Sequence, residues 1–527
     1  MKPDQQETID PSPQVLVVGA GPTGLLLAVE LVRRDVSCLL IDTLDAPRGW
    51  DRATVLHERS LQIFEALGLA ELFLEEGVRT RVARFRSDGA VLAEGSLDLA
   101  SSRYGFQIGI SEEVTESVLT DYLHARGGAV TRSTRLVGLT PGEDAVSATL
   151  ECAGERREIV TGWVVGCDGY HSAVREAAGI EFPGTDIQVP WAVFDATLEG
   201  WMDDYDVASV HLDRPPVILT PLPGQRWRVY LRPTSETSDL IVEASEVLER
   251  YAPGVRFTGV ENPTRFRCHS RVAERYRSGR VLLAGDAAHA CTPAEGHGMN
   301  TGLQDAFNLG WKLAMVCRGA SGPDLLETYE AERQPVAERI VSSGAAAERA
   351  HALTSVAERA SRDAEIRRTF ANPESARHEA AAASELDRSY PHSRAIGGDD
   401  GPGLAPGHLL PDTRLVEPAV GEASALHELT HNPGFTLLVL GGPEADPGQV
   451  GHTVAHLAEH CPVVSAVHGL SARPGGESVG RIDGSTATQL GATGVTAFAV
   501  RPDRYVGFRD NRGRPDAVKE YLDALVA

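Results

Sequence analysis

Gln14-Val15-Leu16-Val17-Val18-Gly19-Ala20-Gly21-Pro22-Thr23-Gly24 is the stretch from which the architecture of this chain is read. A short apolar run ends in a glycine-rich loop, and Pro22 opens a helix expected to reach about Arg34, proline being favoured in a first helical turn. Val36 to Ile41 reads as a second buried strand, and Asp42 closes it 18 residues beyond Gly24. Strand, G-x-G-x-x-G, helix, strand and acidic residue together make a dinucleotide-binding βαβ unit. Gly19 permits the tight turn, Gly21 lets backbone approach a pyrophosphate, and Gly24 lets helix and strand pack closely. The helix N-terminus offers free N–H groups and a positive dipole end to the anion. Ala20, Pro22 and Thr23 complete the loop, and Thr43 follows the acidic residue. Asp42 would accept from ribose hydroxyls and repel a 2′-phosphate, so the ligand held here is FAD or NAD(H).

Two further stretches point to the longer ligand. Val164-Val165-Gly166-Cys167-Asp168-Gly169 ends another strand, followed by Ser172, Val174 and Arg175. Arg280-Val281-Leu282-Leu283-Ala284-Gly285-Asp286-Ala287-Ala288-His289 ends a third, and Pro293, Gly296, His297, Gly298, Met299, Asn300 and Thr301 follow. Three separated motifs suit a dinucleotide contacted along its whole length. A helix expected over Asn300 to Cys317 would aim its positive end at the flavin N1–C2=O edge, where the reduced ring carries its charge.

These motifs, with Arg52 and Ala53 just before a helix, closely resemble the class A flavoprotein aromatic hydroxylases, the p-hydroxybenzoate and phenol hydroxylase superfamily. The resemblance spans essentially residues 14 to 515. It implies an α/β fold: a Rossmann-like FAD domain over 14–184 and 271–390, and an inserted antiparallel substrate-binding sheet over 185–270. A linker over 391–412 and a thioredoxin-like C-terminal domain over 413–527 complete it, as in the polyketide-tailoring and rifampicin-monooxygenase members. It also implies the chemistry: NAD(P)H, with NADPH favoured, reduces FAD, oxygen adds at C4a, and the hydroperoxide hydroxylates an electron-rich phenolic ring. No second G-x-G-x-x-G is present, in keeping with a nicotinamide cofactor that visits transiently. By this resemblance Gly19, Gly21 and Gly24 hold the pyrophosphate, Asp42 the ribose, Arg52 the phosphate-to-ribityl region and Asp286 the ribityl chain. Pro293 lines the oxygen side, Gly298 to Asn300 the pyrimidine edge, and Asp168-Gly169 lies near FAD and the nicotinamide cofactor. Two positions depart from the family. Glu112 stands where glutamine is common, and His297 replaces the glutamine of a GGQG-type loop, which makes His297, with Pro293, a candidate catalytic residue.

The rest of the chain bounds these readings. With 527 residues, 42% hydrophobic and 24% charged, it is an ordinary globular chain of about three domains. A net charge of -24 disfavours nucleic-acid and anionic-lipid partners. No apolar run nears the ~20 residues of a membrane span, and Met1 to Pro13 reads as a flexible tail without signal-peptide features. Seven scattered cysteines without a CxxC suit a cytoplasmic enzyme; the partner implied by the resemblance is a small aromatic molecule, and a monomer or homodimer is expected. Residues 80–110 and 185–270 look like antiparallel sheet, and 321–385 like helix. A small α/β unit closes the chain: a helix, the strand Phe435 to Leu440, a helix near Val450 to His460, and strands near Pro462 and Val495. Phe106, Phe194, Trp227 and Tyr230 are the candidate substrate-pocket residues.

Four other readings are weighed. His427-Glu428-Leu429-Thr430-His431 matches the HExxH zinc motif, but Asn432-Pro433-Gly434 ends that helix at once, and no metal is expected. His452, His456 and His460 recur one turn apart, more in the manner of a half-exposed helix face than of a metal stripe. A flavin monooxygenase performing epoxidation or Baeyer–Villiger insertion is the enzymatic alternative, and an FAD-bound interaction scaffold the non-enzymatic one.

Overall fold

The computed structural model describes residues 10–49, 53–100, 102–417, 423–461, 464–473 and 479–526. Arg52 and most of the expected N-terminal tail lie outside them. Val15–Val18 is the centre of a parallel sheet, flanked in register by Cys38–Ile41 and by Trp163–Gly166. Val281–Leu283 extends the sheet on one side and Val130–Thr131 on the other. The four residues of the central strand are buried on both faces, which explains an unbroken apolar run where a half-exposed strand would alternate. The helix Pro22–Val32 starts as expected and stops at Val32, two residues short of Arg34.

Gly19 and Gly24 make this start possible. Gly19 has φ +101°, and a Cβ on it would lie 2.4 Å from the Cys167 carbonyl oxygen. A Cβ on Gly24 would lie 1.9 Å from the Gly19 carbonyl oxygen, so any side chain there forces helix and strand apart.

A second sheet of seven strands runs in the order 256–266, 191–199, 226–231, 217–222, 207–211, 82–87, 90–96. It is antiparallel except where Val207–His211 pairs parallel with Val82–Ser87. It therefore reaches beyond the 185–270 insertion and draws in the earlier hairpin. One face is covered by the helix Leu240–Leu248, which packs over Ala192, Phe194, Val217, Leu219, Trp227 and Val229.

The helix His297–Cys317 begins three residues before the expected Asn300, because Gly296 in the left-handed region (φ 70°) already turns the chain into it. Three helices, Glu327–His351, Val356–Ala371 and Pro373–Ala383, fill the alanine-rich region. The C-terminal unit has six strands in the order 397–398, 506–510, 495–500, 435–441, 464–471, 479–481, with helices Pro447–His460 and Pro515–Val526 packed against it. The α-helix expected between the linker and Phe435 is a four-residue 3-10 turn, His427–Thr430, cut short by the Asn-Pro-Gly that follows. Among the described residues no helix is long and apolar enough to cross a membrane.

The C-terminal unit is joined to the first by buried charge. Glu332 accepts from both terminal nitrogens of Arg501 at 2.7 and 2.8 Å, from Lys312 at 2.7 Å and from Asn308 at 2.7 Å. Arg504 donates to the Gln62 carbonyl at 2.7 Å and to Glu65 at 2.9 Å. Glu332, Arg501 and Lys312 are fully buried, so removing one partner strands the others in a low-dielectric site. Arg501→Met should cost about 3–5 kcal/mol of stability. Calorimetry should show it as an unfolding midpoint lower by several degrees, whereas an unchanged midpoint would mean that the network contributes nothing net.

Candidate active site

The C-terminal ends of the parallel strands and the uncovered face of the antiparallel sheet enclose one cavity of about 1620 Å³. A single small-ligand pocket is typically ~300–1,000 Å³, so this volume has room for a dinucleotide and a second molecule. At one end it is lined by Gly19, Ala20, Gly21, Pro22 and Thr23, with Asp42, Thr43, Ala53 and Glu112 alongside. Asp168, Gly169 and Asp286 line its middle, then Pro293, Gly296, His297, Gly298 and Met299. The three sequence motifs therefore meet in one place.

The glycine loop leaves space where a pyrophosphate is expected. A Cβ on Gly21 would meet only the Glu116 Oε1, at 3.8 Å, in contrast to the collisions at Gly19 and Gly24. Asp42 is held by backbone, Oδ2 accepting from Ala20 N at 2.7 Å and Oδ1 from Leu44 N at 2.8 Å. Asp168 accepts from Val174 N at 3.1 Å through Oδ2, while Oδ1 is buried with no hydrogen-bond partner. Such an orphan acceptor calls for a donor from a ligand, and burial raises the acidity midpoint of this carboxyl. An open cradle, a carboxylate at the strand end and an orphan acceptor fit FAD. Glu116 flanks the cradle, and burial, helped by Glu112, raises its carboxyl to about 7.

Several expected residues act from behind the surface. Gly24 supports the loop by close packing. Gly285 (φ +60°) does the same against Thr23, whose Oγ1 would lie 2.7 Å from an added Cβ. The Asn300 side chain, expected at the pyrimidine edge, turns into the protein. Its Oδ1 accepts from His57 N at 2.8 Å and Ser60 Oγ at 2.7 Å, and its Nδ2 donates to the Val55 and Gly296 carbonyls, both at 2.9 Å. It pins the 53–60 segment against the loop that starts the 297–317 helix. His289 is likewise structural, bonded to buried Asp305 at 2.7 Å. Burial pushes the Cys291 thiol up, which argues against a reactive thiolate.

Of the four aromatic candidates only Tyr230 lines the cavity, its hydroxyl 2.8 Å from Thr54 Oγ1. Phe194 and Trp227 lie in the core under the 240–248 helix, and Phe106 is buried beside Tyr104 and the guanidiniums of Arg79 and Arg81. Strand parity decides this: Trp227 and Tyr230 are three apart, so they face opposite sides of the sheet. The cavity face is instead a row in cross-strand register, Phe85 with Val210, Val210 with Ile218, Ile218 with Tyr230. No motif marks this row, although the alternation of 217–222 and 226–231 could have restricted the choice to one parity. His57 and Arg388 at the cavity also carried no sequence signal.

The HExxH pair is not arranged for zinc. His427 is buried, its Nε2 bonded to the Leu410 carbonyl at 2.7 Å and its Nδ1 to Arg504 at 3.2 Å. His456 and His460 stack at 4.3 Å on the outer face of the 447–460 helix.

Comparison with known proteins gives the family. Residues 12–343 match the family described as FAD binding domain. Pentachlorophenol 4-monooxygenase of Sphingobium chlorophenolicum is 33% identical over 97% of this chain and 96% of its own. The 6-methylpretetramide 4-monooxygenase of Streptomyces rimosus is 32% identical over 95% and 97%. Among solved structures, anhydrotetracycline hydroxylase from Streptomyces rimosus superposes with a TM-score of 0.77 at 29% identity, covering 98% of this chain and 99% of that one. A ternary complex of aklavinone-11 hydroxylase with FAD and aklavinone shares the fold, with a TM-score of 0.78 at 23% identity. The glycine cradle, the cavity and these similarities converge: the chain belongs to the FAD-binding-domain family and is a flavin-dependent aromatic hydroxylase.

Proposed function

We propose that this enzyme hydroxylates a multi-ring phenolic substrate, polyketide-like in shape, with NADPH and oxygen. The observation that carries the reading is the apolar row Phe85–Val210–Ile218–Tyr230 in the same cavity as the glycine cradle. Four strands at ~4.8 Å spacing make a row about 14 Å long, longer than one aromatic ring needs. The relatives named for 6-methylpretetramide and anhydrotetracycline support the substrate class, and the one named for pentachlorophenol supports a phenol.

In this reading FAD, when bound, supplies the redox and oxygen-transfer chemistry. Gly19, Ala20, Gly21, Pro22 and Thr23 would hold its pyrophosphate, Asp42 with Thr43 its ribose, and Asp286 its ribityl chain. Arg52, Ala53, Glu112, Asp168 and Gly169 would complete the slot. Pro293 and His297, with Gly296, Gly298 and Met299, would face the reacting end, close to the positive end of the 297–317 helix. The side chains chiefly orient the two molecules and keep water from them. The 185–270 segment is the core of the substrate-binding sheet, and 391–412 the linker. The C-terminal unit is thioredoxin-like, a reading supported by its strand order; its single cysteine, Cys461, leaves no redox pair. It braces the 297–317 helix and does no chemistry. The protein is a cytoplasmic monomer or homodimer.

Three outcomes check the reading. Gly21→Val fits the fold but fills the cradle, so the variant should keep its circular dichroism and lose most of its flavin absorbance; full retention of FAD removes Gly21 from the site. Glu116 is neutral below about 7 and charged above it, and a carboxylate there repels a pyrophosphate. FAD affinity should therefore fall as pH rises through that range, and Glu116→Gln should flatten the profile in a fluorescence titration. A phenol that occupies the row should stimulate NADPH oxidation at least tenfold, about 1.4 kcal/mol of barrier. A screen of mono- and polycyclic phenols in which none does so sinks the assignment.

A further inference from the structure

Glu385 follows the 373–383 helix with φ 59°, a left-handed backbone that is unusual for a non-glycine residue. Its side chain is fully buried. Among the described residues its ion-pairing neighbours are two histidines. Oε1 accepts from His297 Nδ1 at 2.9 Å and Thr301 Oγ1 at 3.2 Å, and Oε2 from Gln304 Nε2 at 2.5 Å. His57 Nδ1 stands 3.5 Å from Oε2, and the two imidazoles meet edge to face at 5.0 Å. Burial would raise this carboxyl, but the hydrogen bonds and charges of His297 and His57 hold it well below the usual range. A carboxylate so placed can only accept, so His297 Nδ1 carries a proton, and in the neutral ring Nε2 holds the lone pair. Nε2 bonds to no described residue, and it is not among the sealed, partnerless atoms. The ring lines the cavity next to Gly296 and Gly298. Burial, then the charges of His297 and Arg388, push His57 down against the pull of Glu385, which leaves Glu385 as the anion that can balance a charged His297.

We propose that His297 Nε2 accepts the hydroxyl proton of the phenolic substrate and that Glu385 is its positioning residue, fixing the tautomer and balancing the imidazolium. The proposal rests on the hydroxylase reading above. The phenol O–H bond breaks, its electron pair stays on oxygen, and an N–H bond forms at Nε2. The phenolate then feeds electron density into the ring that receives oxygen, and the proton returns to the product's phenolate oxygen on release. The hydrogen bond at Nδ1 sets which tautomer the ring adopts, and the arrangement follows the base-and-orienter logic of other active sites.

Nitrogen-15 NMR of histidine-labelled holoenzyme, with His297 assigned by its loss in His297→Gln, reads the tautomer directly. The expected result is Nδ1–H in the wild type and a mixture in Glu385→Gln. A second readout uses p-nitrophenol, whose phenolate is yellow, at a pH where the free probe is mostly neutral. Bound probe should be yellow on the wild type, at least tenfold less ionised on Glu385→Gln, and colourless on His297→Gln, with FAD content unchanged in both variants. An Nε2–H tautomer in the wild type overturns the proposal, as does a missing phenolate band at saturating probe or an equal band on His297→Gln. Stoichiometric metal in the purified protein also overturns it, since one ligand atom each of His57, His297 and Glu385 lie within 4.8 Å of one another and a cation would take the proton's place. If Glu385→Gln does not fold, the wild-type tautomer and His297→Gln still decide. Failure of the hydroxylase reading itself shows differently, as a wild type that lacks FAD or oxidises no NADPH with any phenol, whatever its His297 tautomer.

Discussion

The helix His297–Cys317 is buried along most of its length yet carries Asn300, Thr301, Gln304, Asp305, Asn308 and Lys312 on its buried surface. A polar group left unpaired in such a place costs about 1–3 kcal/mol, and these six side chains find partners on other segments, Glu385 and Glu332 each serving two of them. Asn300 fastens the 55–60 segment. Thr301 and Gln304 reach Glu385 after the last alanine-rich helix. Asp305 takes Arg333 at 2.7 Å and the Gly285 N–H at 3.0 Å. Asn308 and Lys312 meet Glu332, and through it Arg501 of the C-terminal unit. Segments hundreds of residues apart in sequence converge on this one rod.

That convergence shapes the site. The rod's N-terminus opens on the cavity, and the hydrogen bonds of Asn300, Thr301 and Gln304 Nε2 hold the opening in place. Gly296 supplies the left-handed turn that lets the 293–296 loop feed directly into the helix. The overall charge of -24 does not contradict an anionic cofactor, because backbone N–H groups and a helix end, not lysines, make the cradle. The C-terminal unit braces the far half of the same helix through Arg501 and holds the 59–65 segment through Arg504.

Much of this was legible in the sequence. The spacing of Gly19, Gly21 and Gly24 behind an apolar strand admits few conformations. The requirement is local: two of these glycines have no room for a Cβ, and the third leaves the room a ligand needs. Asp42, Asp168 and Asp286 sit at fixed offsets from strand ends, so their arrival at one cavity follows from the parallel sheet itself. The truncation of the HExxH helix by Asn432-Pro433-Gly434 was equally local.

What only the tertiary structure decided is whatever depends on partners distant in the chain. Whether Phe194, Trp227 or Tyr230 faces the cavity depends on which side of the sheet the 240–248 helix covers, and composition carries no trace of that choice. Asn300 belongs to a recognisable motif, yet its side chain answers to the 55–60 segment and not to the cavity. Glu385 stands in an alanine-rich stretch without any motif, and it acquires meaning only because folding sets it 2.9 Å from His297, 88 residues earlier. Local sterics are written in neighbouring residues and can be read there. The pairing of buried polar groups is settled by three-dimensional proximity, which a linear pattern does not contain.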